Sequence, residues 1–298
     1  MTPDRPLLGI GLMLLFCAFA PLGDAVAKLL AAQYALGMLV LVRFATQALV
    51  LGPVTWATGG QWRLQGRVLR LAMLRGLLHV AGIFTMFAAL QYLPLAEAIA
   101  IAFVMPFIML ALGWAVLGEP VGPRRITACA VGFLGTLMVV QPTFAEVGWP
   151  ALLPLAVAVI FSLFMLITRQ IARETDPVGL QAVTGAAMSF VLLLCLALGH
   201  AVGIEALEWQ GFARSDWGAV VALGLLGTFG HLAMTWSLRY APSTVLAPMQ
   251  YLEIPIATLI GWLVFHDLPN GMAALGILVT IAAGLSIILF ERRRQQMA

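Results

Sequence analysis

The run MLRGLLHVAGIFTMFAALQYLP, residues 73–94, and the run VALGLLGTFGHLAMTWSLRYAP, residues 221–242, align without a gap. Gly76, Leu77, Leu78, Gly82, Met86, Leu90, Tyr92 and Pro94 fall on Gly224, Leu225, Leu226, Gly230, Met234, Leu238, Tyr240 and Pro242, each pair 148 positions apart. A constant offset close to half the chain marks an internal duplication, so the two halves are expected to fold alike. Both copies are apolar over about 20 residues, the length that carries a helix across a bilayer. Duplicated bundles of such helices are the usual build of transporters.

Working outward, 62% of the 298 residues are hydrophobic and 10% are charged, whereas a soluble domain is roughly half apolar and about a quarter charged. The chain is therefore expected to be an all-α integral membrane protein. Apolar stretches predict ten spans, at 7–31, 35–58, 68–92, 95–117, 123–141, 149–170, 177–200, 216–239, 242–265 and 270–290. They divide into two five-helix repeats, 1–142 and 143–298, and leave no room for a soluble catalytic domain. The five-plus-five count also requires the first apolar segment as a span rather than a cleaved signal peptide. Cys17, Cys129 and Cys195 all lie inside spans and read as small packing residues, not as metal ligands or disulfides.

An odd number of spans per half inverts the second repeat in the membrane. Basic residues (Arg5, Arg63, Arg67, Arg70, Arg124, Arg125, Arg169, Arg173, Arg239, Arg292, Arg293 and Arg294) fall on one side of a ten-span chain, while Glu146, Glu205, Glu208, Asp216 and Asp267 fall on the other, with Arg214 as its one basic residue. Cytoplasmic loops collect Lys and Arg, so both termini are expected to be cytoplasmic, in a bacterial-type inner membrane. Glu119 and Asp267 match at the same offset of 148, yet only Glu119 is followed by arginines. Twin loops on opposite faces are what an inverted repeat requires.

The run ALQYLPLAEA, Pro106, LGEPVGPRR and the spaced Gly132 and Gly135 resemble the EamA-type branch of the drug/metabolite transporter superfamily. The second half repeats the pattern in SLRYAPSTVLAP, Glu253 with Pro255, and FHDLPN; Arg43-Phe44 is similar to the family's first-half pattern. The resemblance covers nearly the whole length and implies export of small metabolites by alternating access, amino acids including aromatic ones foremost. It implies no cofactor, and its partners are a small-molecule substrate and the lipid bilayer.

An ionisable side chain inside the bilayer is a functional candidate by default. Arg75, His79, Gly82 and Met86 share one face of span three; His79 lies near mid-depth, and Arg75 can snorkel toward the cytoplasm. His231 lies at similar depth in span eight, either as a hydrogen-bonded core histidine or on the solute pathway. Glu253 follows Gln250 on one face of span nine, between Pro248 and Pro255. It can bind a proton or a substrate amino group, or serve as a structural carboxylate. Trp236 lies within two turns of His231, either stacking on substrate or packing. These five, His79, His231, Gln250, Glu253 and Trp236, form the expected substrate-binding set. Asp24 and Lys28, four apart on span one, with Arg43 and Glu97, form the expected set of gating and charge-pair residues.

Two other functions compete. An intramembrane enzyme is disfavoured because no HExxH or GxSxG arrangement is present. A carrier of sugar phosphates or nucleotide-linked solutes calls for several deep cations, and the sequence offers only Arg43 with Lys28 or Arg75, which ranks it below amino-acid export. No ATP-binding motif is present, so a gradient is expected to drive transport.

Overall fold

A computed structural model describes residues 5–90, 92, 98, 101–140, 149–265 and 271–297. Among these, ten helices of 13 or more residues follow one another: α1 Pro6–Ala31, α2 Leu36–Ala57, α3 Gly66–Leu90, α4 Met105–Leu117, α5 Pro123–Val140, α6 Leu152–Ile171, α7 Pro177–Val202, α8 Trp217–Tyr240, α9 Glu253–Phe265 and α10 Gly271–Met297. Seven helical stretches are long and apolar enough to cross a membrane, and Met105–Leu117 is a shorter apolar helix. Of the ten expected spans, the fourth, fifth and ninth are thus met by the shorter helices α4, α5 and α9. Local chemistry sets the ends. The Asp176 side chain accepts a 2.8 Å bond from Gly179 N at the start of α7, with Pro177 in the first turn, where its missing N–H leaves nothing unpaired.

Helices pair between the halves rather than within them. α1 lies along α8, α3 along α6, α2 along α7 and α5 along α10; α4 rests on α6 as α9 rests on α1. Exchanging the halves maps this set of contacts onto itself, as a two-fold relation demands. The pairs are antiparallel. In α2 and α7, Gly37 meets Leu196, Gly185 meets Ala48, and Gln47 Nε2 donates to Gln181 O at 2.6 Å. In α5 and α10, Arg125 reaches Glu291 at one end while Gly135 touches Gly276 at the other. Since α2 and α7 are equivalent helices, as are α5 and α10, the second repeat is inverted relative to the first. The exchange also relates the first two helices of each half, where the sequences show no clear alignment.

The helix pair α5–α10 approaches backbone to backbone. A Cβ on Gly276 would lie 2.6 Å from Gly135 O and 2.8 Å from Met138 Cβ. Neither neighbour can rotate away, so Gly276→Leu is expected to cost about 1–3 kcal/mol as overpacking. The check is a lower melting temperature in detergent, with Gly271→Leu, where a Cβ meets open space, as the unaffected control.

Spans four and nine break at equivalent places. Span nine, expected over 242–265, consists of a four-residue helix Ser243–Leu246, a 3-10 segment Ala247–Leu252 and then α9. Pro248, in the first turn of the 3-10 segment, has no N–H to continue an α-helical ladder. The 13-residue helices α4 and α9 start at Met105 and Glu253, 148 positions apart. Carbonyls at the breaks find partners in side chains: Ser162 Oγ donates to Met105 O at 3.2 Å, and Tyr251 Oη to Phe103 O at 3.1 Å. Phe103 and Tyr251 are themselves an equivalent pair, so the pseudo-two-fold axis passes close to their contact.

The loops divide by charge as the sequence reading expected. Arg67 meets Glu174 at 2.6 Å, Arg239 Nη1 donates to Thr175 O at 2.8 Å, and Arg5 N donates to Tyr240 O at 2.8 Å, gathering the arginine-rich loops on one face. On the opposite face Tyr34 donates to Asp216 at 2.6 Å, a bond that raises the phenol above its ordinary value. Glu146 and Asp267 lie outside the described residues.

Candidate functional site

At the centre of the bundle, α2, α3 and α8 bring Arg43, His79 and His231 together. Arg43 Nη2 lies 3.3 Å from His231 Nε2, and the rings of His79 and His231 are 4.2 Å apart, edge to face. A Cβ at position 227 would sit 3.0 Å from Arg43 Nε, so Gly227 makes room for the guanidinium. Phe44 and Phe164 pack against His79 at 5.1 and 4.9 Å, and Phe16 packs against His231 at 5.8 Å. Arg43, Phe44, Gln47, His79, Gly227 and His231 line a narrow crevice, too constricted to seat a water. Two buried polar atoms of its lining residues, Arg43 Nε and His231 Nδ1, have no hydrogen-bond partner among the described residues. Buried polar groups are normally paired, so both are suited to an occupant that supplies the bonds.

One turn toward the arginine-rich face, Arg75 is only 2% exposed. Its Nε donates to Thr168 at 2.7 Å, Nη1 to Gln181 at 3.3 Å and Nη2 to Thr235 at 3.2 Å, and its guanidinium lies 4.6 Å from the centre of the Phe164 ring. Every one of these partners is neutral. A further turn on, Glu119 meets Arg169 at 3.0 Å and accepts from Ser243 Oγ at 2.7 Å and Thr244 N at 3.0 Å. A polar column therefore runs from mid-bundle to the arginine-rich face, through the otherwise apolar core of Met13, Met109, Phe164 and Met234.

The residues expected from sequence are distributed as follows. His79, His231 and Arg43 share the crevice. Arg75 does not snorkel: it is held inside by three helices, because hydroxyl and amide partners there replace the water it would otherwise seek. Glu253 opens α9 half-buried, and it is not on the crevice; it lies within electrostatic reach of Asp24, which in turn lies within reach of Arg43. Asp24 and Lys28 both lie on the exposed side of α1. Gln250 is buried away from the crevice, its Nε2 3.0 Å from Met109 Sδ and its Oε1 unpaired among the described residues. Trp236 packs with Leu51, Ala182 and Leu232, on the flank of α8 turned away from the histidines. Glu97 lies outside the described residues. No grouping of three metal-ligating side chains occurs among the described residues.

Sequence reasoning missed Gln47, Thr168, Gln181 and Thr235. The spacing of Gln47 four residues after Arg43, one turn along the same face, was an available signal. The threonines gave none, since Thr168 and Thr235 already bond the carbonyls four residues back, at 2.7 and 2.8 Å.

A family model described as the EamA-like transporter family matches residues 7–141 and again 148–290. A riboflavin transporter of Rhizobium johnstonii is 30% identical over 250 residues, 83% of this chain and 76% of that protein. A pseudopaline exporter of Pseudomonas aeruginosa is 24% identical over 224 residues, 74% of this chain and 72% of that protein. A crystal structure of a protein 23% identical superposes with a TM-score of 0.77 over 96% of this chain and 98% of that one, and shows the same fold.

Proposed function

Because the chain belongs to the EamA-like transporter family, we propose that it is a secondary transporter whose two inverted repeats rock about a central solute site made by Arg43, His79 and His231. In this reading the ten helices are ten spans of a bacterial-type inner membrane, with both termini and the arginine-rich face cytoplasmic, as basic loops favour. The division into repeats at 1–142 and 143–298 belongs to the same proposal.

The observation that carries the site is the pair of unsatisfied atoms, Arg43 Nε and His231 Nδ1, facing an aromatic crevice between the repeats. Pairs of interrupted helices at corresponding positions of two repeats point to a midplane binding site, and the breaks before α4 and α9 are such a pair. The chemistry suits a flat, acceptor-rich solute: aromatic walls stack on its faces, and Arg43 donates to its edge. Riboflavin, the solute named for the Rhizobium johnstonii relative, has this form and is the first solute to test.

Amino-acid export is the second reading. The Asp24–Arg43 neighbourhood favours it, because a zwitterion can place its carboxylate at Arg43 and its ammonium near Asp24. The test is counterflow in proteoliposomes preloaded with unlabelled solute, using labelled riboflavin, phenylalanine and a sugar phosphate in parallel. Accumulation of riboflavin alone is the expected result. Accumulation of phenylalanine without riboflavin replaces the first reading by the second, and accumulation of neither overturns both.

A further inference from the structure

The Glu119 clasp joins segments that the repeats contribute separately. Glu119 sits in the α4–α5 connection of the first half; Arg169 ends α6, and Ser243 and Thr244 follow α8, all in the second half. Arg169 Nη1 also donates to Leu238 O at 2.6 Å, tying the clasp to the helix that carries His231. Gly113 permits the closure, since a Cβ there would fall 2.7 Å from Ser243 Oγ. Both charged members are only 8% exposed, so their attraction is little screened by salt. The clasp lies on the arginine-rich side of the polar column and stands between that face and the crevice.

The internal repeat supplies a comparison. At the 148-residue offset, Glu119 corresponds to Asp267, and Ser243 and Thr244 correspond to Leu95 and Ala96. The sequence of the twin thus offers a shorter carboxylate and no hydroxyl donor. If the faces open in turn, the bonds of the Glu119 clasp favour the state in which the arginine-rich face is closed.

We propose that the Glu119 clasp is the dominant gate of the transporter, holding the arginine-rich face shut and biasing the resting protein toward closure on that side. The proposal rests on the transport reading but on no particular solute. Glu119 acts here as a positioning residue: it touches neither crevice nor solute, and it works by holding the two halves together.

The experiment measures access rather than transport. In a background with Cys17, Cys129 and Cys195 replaced by alanine, Leu238→Cys places a thiol just inside the clasp. Its reaction with a membrane-impermeant maleimide is followed from each face, using oriented vesicles. Glu119→Gln is expected to raise labelling from the arginine-rich face by at least about tenfold, the population shift that corresponds to about 1.4 kcal/mol. Ser243→Ala, which removes one bond and no charge, is expected to raise it by a smaller factor, and Asp267→Asn is expected not to raise it. Folding is checked by a single size-exclusion peak; should Glu119→Gln fail that check, Ser243→Ala decides. Parent-like labelling in every folded clasp variant overturns the proposal. Faster labelling without riboflavin counterflow leaves the gate standing and removes only the solute assignment.

Discussion

Arg43→Gln is expected to weaken solute binding by about 10- to 100-fold and to reduce counterflow in proportion, the largest loss among single changes at the crevice. A hydrogen bond to a charged group contributes about 1.5–3 kcal/mol, and about 1.4 kcal/mol is tenfold in affinity. The Nε–H of Arg43 is buried without a partner among the described residues, so a solute that fills the crevice gains its bond. Arg43→Lys keeps the charge beside Asp24 and His231 but lacks the planar fork, and it is expected to restore stability without restoring binding. Tryptophan-quenching titrations on purified protein read the affinity directly. Parent-like affinity in the lysine variant would mean that charge alone suffices and that the crevice geometry is not the recognition element.

Arg75→Met is expected to leave the melting temperature unchanged or raise it, while lowering transport by about tenfold or more. A charge taken out of water and left without a counter-ion is costly, and replacing buried ionic groups with apolar residues of similar volume is often neutral or stabilising. Arg75 is such a group: its partners Thr168, Gln181 and Thr235 are neutral, and all three keep other bonds when it is removed. A residue kept against its own burial cost is best explained by work in the transport cycle, where the polar column must rearrange to pass solute. The measurement is a thermal melt alongside initial counterflow rates. A fall in melting temperature that tracks the fall in rate would make Arg75 a structural tie between α3, α6, α7 and α8 and nothing more.

Glu253 stands differently. Its side chain makes no hydrogen bond or ion pair with the described residues, and its electrostatic neighbours are Asp24 and Cys17, so this carboxylate is linked to the crevice through Asp24 and Arg43. Its place as the first residue of α9 follows from the break at the 3-10 segment. Sequence marked this residue by the flanking prolines, yet it could not show that Glu253 and Gln250 turn to different surroundings.

The sequence by itself determined that this is a helical membrane protein built twice over, with helix ends near the expected positions. Those features are local: apolar length, proline and glycine at helix ends and a constant 148-residue offset act through neighbours in the chain or through the bilayer, whatever the rest of the fold does. The tertiary structure decided which polar side chains meet. Arg75 reaches Thr235 across 160 positions, and Arg43 reaches His231 across 188. The helices that bring these residues together expose several faces of similar hydropathy, so sequence leaves their rotation open. Packing of side chains against glycine, as at Gly227 beside Arg43 and Gly113 beside Ser243, sets that rotation, because it lets the helices come close enough to give the buried arginines polar partners.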